Sequence, residues 1–285
     1  MASTNKKYVT YLERSGLANR LRLHCLAQAY ALKTGRTLVV DWKPNRHCHA
    51  TYDDLFLAGP PSLDSLPPAE RKTIRLARIF NSHSYGRGTL PNNLGVDALN
   101  DSPKRLVILK PDLEASVENG SRLGRYHKAV IDGLNPKPEI NSAIARFLEN
   151  IPSMRVGLHV RMGDFVKKYG SSLPPISRYI DIVSAILVKR PDANIVLVSD
   201  AEEEELRPLL AAVKCHTRDK INIRTSTEGI RDALVDMMVL AQTDLVISTP
   251  SSSFSAVAAM LGSKPLLRAD ENWESKLPAI LNAIP

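Results

Sequence analysis

From residue 154 onward, short apolar runs alternate with segments of helical spacing, and this alternation constrains the fold more than any other feature of the chain. It reads as strand 154–160, helix 177–189, strand 194–199, helix 203–213, helix 230–242, strand 244–248, helix 253–261 and a short strand 264–267. Strands that alternate with helices of this length form a parallel, doubly wound sheet. Leu206, Leu209, Leu210 and Val213 predict one apolar helix stripe, and Leu234, Met237, Met238 and Ala241 another, with the methionines as core.

Three of these strands end in polar residues. The run from Arg155 stays apolar until His159, Arg161 and Asp164. The next, Ile195 to Asp200, ends on an acid, and Glu202 to Glu205 then occupy the first turn of a helix, where negative charge suits the dipole. The third passes through Ser248 and Thr249 into Ser251, Ser252 and Ser253 at a helix start. Taken alone, the first stretch could be a surface loop whose Arg and Asp pair with each other, and the serines could be simple helix caps. The recurrence of the pattern favours a cleft, because the carboxyl ends of parallel strands share one edge of the sheet, where ligands bind. An arginine, a carboxylate and a hydroxyl-rich helix start on one edge suit a nucleoside diphosphate.

The first half is less regular. Tyr8 to Leu12 reads as a strand, and a long helix follows to about Lys33, with Ala18, Leu21, Cys25, Ala29 and Leu32 as its buried stripe. Ser15 and Gly16 stand where that helix starts, so Asn19 and Arg20 fall in its first turn, either beside a bound anion or as ordinary solvated residues. Gly35 stops the helix and Thr37 to Asp41 forms a second strand. Pro, Gly and Ser punctuate residues 43–104, which read as loops and short elements. Arg105 to Leu109 is another strand, and the prolines 136, 138 and 152, around a helix at 139–149, mark a passage between domains.

The chain has 285 residues, enough for one large or two ordinary domains. No apolar run approaches the roughly 20 residues of a membrane-spanning helix, and the amino terminus lacks the apolar core of a signal peptide, so a cytoplasmic protein is expected. Cys25, Cys48 and Cys215 are odd in number and irregular in spacing, which suits reduced thiols. A net charge of +8 points to anionic partners: a nucleotide diphosphate, a phospholipid surface or a nucleic acid. Scattered basic residues and only 5% aromatics weigh against nucleic acid and leave peripheral contact with an anionic membrane as an expectation. His47, Cys48 and His49 are adjacent and point in different directions, so no metal site is expected there. There is no Asp-x-Asp, Walker or complete Gly-x-Gly-x-x-Gly motif.

Gly16-Leu-Ala-Asn-Arg20, His159-Val-Arg-Met-Gly-Asp164, Val198-Ser-Asp200, and Asp236 followed by Thr243-Asp-Leu-Val-Ile-Ser-Thr-Pro-Ser-Ser-Ser-Phe254 resemble, in order, the motifs of the fucosyltransferase superfamily. That group holds bacterial α-1,2- and α-1,6-fucosyltransferases and protein O-fucosyltransferases. The resemblance implies an α/β GT-B fold: two Rossmann-like domains facing a cleft, residues 1–150 on the acceptor side and 151–285 binding a GDP-sugar. It implies an inverting transfer of fucose or a related deoxyhexose to a saccharide, glycoconjugate or protein acceptor, with no metal or other cofactor. Another nucleotide sugar on the same fold, or a non-catalytic nucleotide or nucleic-acid binder, are the alternatives. By position, Arg161 would grip the β-phosphate, His159 and Asp236 would address guanine, Asp200 would match the acid after the second motif strand, Ser251 and Ser252 would meet phosphate, and Asn19 would reach the donor. Many relatives carry two successive arginines where this chain has Arg161 and Met162. The base stays open between Glu13 and Asp164.

Overall fold

Runs rich in Val, Ile and Leu become central strands because a parallel sheet covered on both faces keeps every side chain from water. The structure, a computed structural model, describes residues 6–85, 96–110, 123–219 and 225–284, without the side chains of Asp164, Lys168 and Ser171. The described residues hold two parallel sheets. The chain divides into two units, Met1–Pro138 with Ile223–Arg231 and Glu139–Asn222 with Asp232–Pro285.

The first unit contains β1 (Tyr8–Tyr11), α1 (Leu17–Thr34), β2 (Thr37–Leu38), α2 (Pro68–Phe80), β3 (Ser82–Tyr85), β4 (Leu106–Leu109) and α3 (His127–Gly133). Its strands pair in the order β2-β1-β4-β3, every pair parallel. β1 and β4 are the central strands and every residue in them is buried. Arg36, with its side chain wholly buried, ties the strand ends together. It donates to the carbonyls of Tyr8, Ser102, Lys104 and Arg105 and to the Asp101 carboxylate at 2.8 Å.

The second unit begins with α4 (Pro138–Leu148) and continues through β5 (Arg155–Val160), α5 (Gly163–Tyr169), α6 (Ile176–Lys189), β6 (Asn194–Ser199), α7 (Glu203–Ala212) and β7 (Cys215–His216). It closes with α8 (Thr227–Ala241), whose residues up to Arg231 count with the first unit, then β8 (Leu245–Ser248), α9 (Ser253–Gly262), β9 (Leu266–Arg268) and α10 (Trp273–Asn282). The strand order is β7-β6-β5-β8-β9, all parallel, which is the doubly wound order. Val156, Leu158 and Val160 of β5 lie in the core with Ile195, Leu197, Leu245 and Ile247. Each such side chain contributes about 1.5 to 3 kcal/mol when fully buried. Gly262 lets α9 approach α8, since a Cβ there would run into the Ala241 carbonyl.

Element positions in the second unit match the sequence reading within a few residues. The differences have physical causes. Residues 43–104 hold a 13-residue helix, α2, that the sequence reading leaves as loop. The prolines at 67 and 68 read as loop punctuation, whereas in the structure Pro68 opens the helix at a position where its missing N–H costs nothing; Ile74 and Ala77 are buried while Leu76, Ile79 and Phe80 are exposed. β3, Ser-His-Ser-Tyr, is an edge strand and needs no apolar run. Leu32 and Leu210 are more than a third exposed, so they leave their expected stripes, and Met238 is only half-buried. The strand expected over Thr37–Asp41 shrinks to two residues, with Val40 instead bridging Ser62. The short α3, α5, β7 and α10 were also not foreseen.

His24, wholly buried on α1, takes a hydrogen bond with the Tyr11 hydroxyl at 3.1 Å and stacks on Tyr52 at 4.8 Å. Burial opposes its charged form and pulls its pKa from 6.5 down to about 4. The folded chain therefore carries this ring neutral where the unfolded chain protonates it. The contribution is present above pH 6.5 and is lost as pH falls towards 4, at about 1.4 kcal/mol per pH unit. Urea unfolding at pH 7 and pH 5 should show His24→Phe losing about 2 kcal/mol less stability than the parent over that interval. An equal loss in both proteins would refute a neutral buried His24.

Candidate active site

In the order β7-β6-β5-β8-β9 the chain winds one way from β5 and the other way from β8, so these neighbours form the topological switch point, where a crevice opens beyond the strand ends. The register pairs His159 with Ser248 and Val160 with Ser199. Hydroxyls fasten these ends. Thr249 Oγ1 accepts the Arg161 N–H at 2.8 Å, lies 3.2 Å from the His159 carbonyl, and meets the Tyr179 hydroxyl at 2.8 Å. Ser199 Oγ donates to the Val160 carbonyl at 2.7 Å and accepts the Ala201 N–H at 3.0 Å. Burial pushes the Tyr179 phenol up to about 12, which keeps it a neutral member of this clasp. Tyr179 shares the spacing of Ile182, Val183 and Ile186 on α6, which marks it as core and says nothing of its hydroxyl.

Arg161 leaves the end of β5 with a side chain only 14% exposed. Its Nη1 lies 2.8 Å from Asp200 Oδ2, and its guanidinium sits 5.1 Å from the Phe165 ring. Asp200 Oδ1 accepts the Met162 N–H at 2.9 Å. One carboxylate thus holds both the backbone after β5 and the head of Arg161. Gly163 makes room for it, since a Cβ would meet Asp200 Oδ2. Met162 packs partly buried against the core.

The helix starts differ in what they can accept. α7 is closed by its own side chains: Glu202 and Glu205 form a capping box, with Glu203 and Glu204 beside them. An anion gains nothing there. α9 has Ser252 at its N-cap with no side-chain cap and no acid in its first turn, so capping by Ser252 is not what the structure shows. Its amides and dipole favour an anion. Ser252 N–H donates to the Thr249 carbonyl at 3.2 Å, closing a turn through Pro250 and Ser251. Ser251 has φ 63°, a conformation costly for a residue with a Cβ, and is exposed. The Ser252 hydroxyl faces His159 Nδ1 at 3.5 Å, the outer limit of a hydrogen bond. The His159 ring is buried and stacks on Phe254 at 5.1 Å.

Asp236 is expected from helical spacing to face ligand or water. It is instead buried and paired: Arg218 Nε and Nη2 both reach Asp236 Oδ1 at 3.1 Å, while Arg218 Nη1 reaches Asp232 Oδ1 at 2.8 Å. Arg218 escaped the sequence reading because it lies outside any periodic segment, 18 residues from Asp236.

In the first unit, Glu13 is buried and its Oε1 accepts the Ser15 N–H at 2.8 Å, shaping the turn from β1 into α1. Arg20 is not a solvated first-turn residue: it is 1% exposed, donates to the carbonyls of Ser15 (2.9 Å) and Lys43 (2.7 Å), and lies over Trp42 at 5.6 Å. Asn19 is half-buried beside it. The Asp164 side chain lies outside the described residues. Among those described, no group of three His, Cys, Asp or Glu side chains is placed to hold a metal ion.

No protein-family model matches the chain, and no curated protein matches its sequence. Solved structures do match. NodZ fucosyltransferase from Bradyrhizobium has a TM-score of 0.61 at 19% identity over 94% of this chain and 97% of that one. A FUT1 variant from Arabidopsis thaliana in complex with GDP has 0.56 at 17%, over 94% and 71%. POFUT1 in complex with GDP has 0.56 at 13%, over 94% and 99%. This chain has the fold of those fucosyltransferases. Its α/β architecture, with parallel sheets, is therefore the one that its motifs led us to expect.

Arg218 neutralises two carboxylates at once, with its own side chain 16% and that of Asp236 7% exposed. Arg218→Ala should lower stability to urea by about 3 kcal/mol, since it strands charge away from water, and adding Asp232→Asn and Asp236→Asn should recover part of that. A loss under roughly 0.5 kcal/mol would mark the pairs as ordinary solvated contacts.

Proposed function

We propose that the chain is an inverting, metal-independent glycosyltransferase that moves fucose, or a related deoxyhexose, from a GDP-sugar to the hydroxyl of a saccharide or glycoconjugate. The observation that carries this reading is the pairing of Arg161 with an uncapped α9 at the β5/β8 switch point. It is supported by a fold shared with a NodZ α-1,6-fucosyltransferase soaked with GDP-fucose. The three free thiols suit a reducing, cytoplasmic setting.

In this reading the bond from sugar C1 to the β-phosphate oxygen breaks and its electron pair leaves with GDP. Charge therefore grows on the diphosphate as the transition state forms, where Arg161 and the first amides of α9 meet it without a metal ion. Asp200 keeps Arg161 extended along the strand end until phosphate takes its place. The acceptor hydroxyl attacks from the opposite face of the sugar, which inverts the configuration, and loses its proton to a carboxylate. Glu13 and Asp164 are the two candidates. Asp236 keeps the guanine role that the resemblance implies, and Arg218, which takes its Oδ1 twice, would have to yield to the base for both guanine donors to be received. Ser251 and Ser252 complete the phosphate side, and His159 lies against the base. Asn19 and Arg20 belong to the first unit, which takes the acceptor side of the reading.

Unfolding monitored with GDP, UDP, CDP, ADP and short oligonucleotides tests the ligand class. GDP at a hundred times its dissociation constant should stabilise the chain by about 2.7 kcal/mol. Preference for another nucleotide would reassign the donor, and stabilisation by oligonucleotides alone would remove the enzyme reading. Arg161→Ala should cut turnover roughly a hundred- to a thousandfold, and Arg161→Lys should not restore it, because an ammonium lacks the bidentate fork. Turnover within about threefold of the parent would exclude that role.

Excess chelator is expected to leave turnover unchanged. Activity lost on chelation and regained with magnesium or manganese would overturn metal independence.

A further inference from the structure

α2 carries an outward face of unusual composition. Lys72, Arg75, Leu76, Ile79 and Phe80 follow one another at the i, i+3, i+4, i+7, i+8 spacing of a single helix face, and all five are exposed. Ile79 is 71% and Phe80 78% exposed, and Leu76 47%. Three of the large hydrophobic residues most open to water thus sit within two turns of one helix, with two cations a turn earlier. Ile74 and Ala77, on the opposite side, anchor the helix on the first unit's core.

The electrostatics of α2 are one-sided. Its single acid, Glu70, is engaged by Lys6 at 3.1 Å and by the Tyr8 hydroxyl at 3.0 Å, and Arg78 pairs with Asp41 at 3.1 Å. Among the described residues no ion pair or hydrogen bond involves the side chains of Lys72 or Arg75. The face therefore presents uncompensated positive charge beside apolar tips.

We propose that this face docks the protein on an anionic lipid surface, with Leu76, Ile79 and Phe80 entering the boundary between headgroups and acyl chains. Lys72 and Arg75 then reach the lipid phosphates. Long cationic side chains can lay their stems along apolar surface and keep their charge at headgroup level. No helix of the described residues is long and apolar enough to cross a membrane, so the contact is peripheral. A second copy of this chain is a poorer occupant, since each copy carries +8 and would present the same cations.

Co-sedimentation of the full chain with vesicles of phosphatidylcholine alone, and of phosphatidylcholine mixed with phosphatidylglycerol, tests the proposal. The parent should bind only the anionic vesicles and release them in high salt, which screens charge within about 3 Å at 1 M. Lys72→Ala with Arg75→Ala should weaken binding about thirtyfold, roughly fivefold per cation at about 1 kcal/mol each. Ile79→Asp with Phe80→Asp should abolish it, Ile79→Ser with Phe80→Ser should weaken it, and Val188→Asp, at an exposed site on α6, should leave it unchanged. Circular dichroism and thermal unfolding confirm that each variant is folded. Failure of the parent to bind anionic vesicles would overturn the proposal. So would undiminished binding by the folded Ile79 and Phe80 variants, which would assign binding to the overall charge. A self-association abolished by these variants, without vesicle binding, would assign the face to contact between copies instead.

Discussion

The Thr249 hydroxyl is the contact on which the site depends. A parallel sheet fixes strand spacing through its backbone ladder, whose last bond here runs from the Thr249 N–H to the His159 carbonyl at 3.2 Å, and the Thr249 side chain adds to it. One side chain accepts the Arg161 N–H, lies against the His159 carbonyl and meets Tyr179 from α6. It thereby sets the direction in which β5 leaves the sheet, and with it the origin of the Arg161 side chain. Buried hydroxyl networks of this kind are stiff because a broken member leaves a polar group with neither protein partner nor water. The Asp200 carboxylate extends the arrangement by one residue, holding the Met162 N–H and the Arg161 head together.

Charge is sorted along the same edge. β6 leads into an acidic, self-capped helix, while β8 leads into a helix with no acid in its first turn. An anion approaching the carboxyl edge is repelled at the first and drawn to the second, next to Arg161. Negative charge that belongs to the protein is kept under control: Asp200 by Arg161, Asp232 and Asp236 by Arg218. A carboxylate fixed by an arginine keeps its orientation.

The sheet of the second unit was legible because its strands are continuous apolar runs and its helices carry clear stripes. The polar residues at the strand ends were legible for the same reason, as breaks in an apolar pattern. What the sequence hid were partnerships. Arg218 and Asp236 are far apart along the chain, and no spacing rule joins them. Arg20 reads as a first-turn residue, either beside a bound anion or solvated, yet it is a buried clamp between Ser15 and Lys43 because α1 is covered on most sides. α2 was hidden by its surroundings: it opens on Pro67 and Pro68 inside a stretch punctuated by Pro, Gly and Ser, which reads as loop although Pro suits the first helical position.

Two local costs in the second unit lie at the start of α9, and others lie away from it: Met154 and Ser263 also hold left-handed backbone, and α5, α6 and α10 also start without a side-chain cap. An N-terminus without a side-chain cap forgoes about 1 kcal/mol, and α9 forgoes it although Ser252 stands at the capping position and its hydroxyl turns to His159 instead. Ser251 holds a left-handed backbone that glycine would adopt without penalty, at a cost on the order of 1 kcal/mol or more. α7, one strand away, is capped from both ends of its box. Among the helices described, α7 is the one closed by a capping box. The difference follows if the α9 amides must stay open to an anion, since a capping hydroxyl would occupy the donors that a phosphate needs.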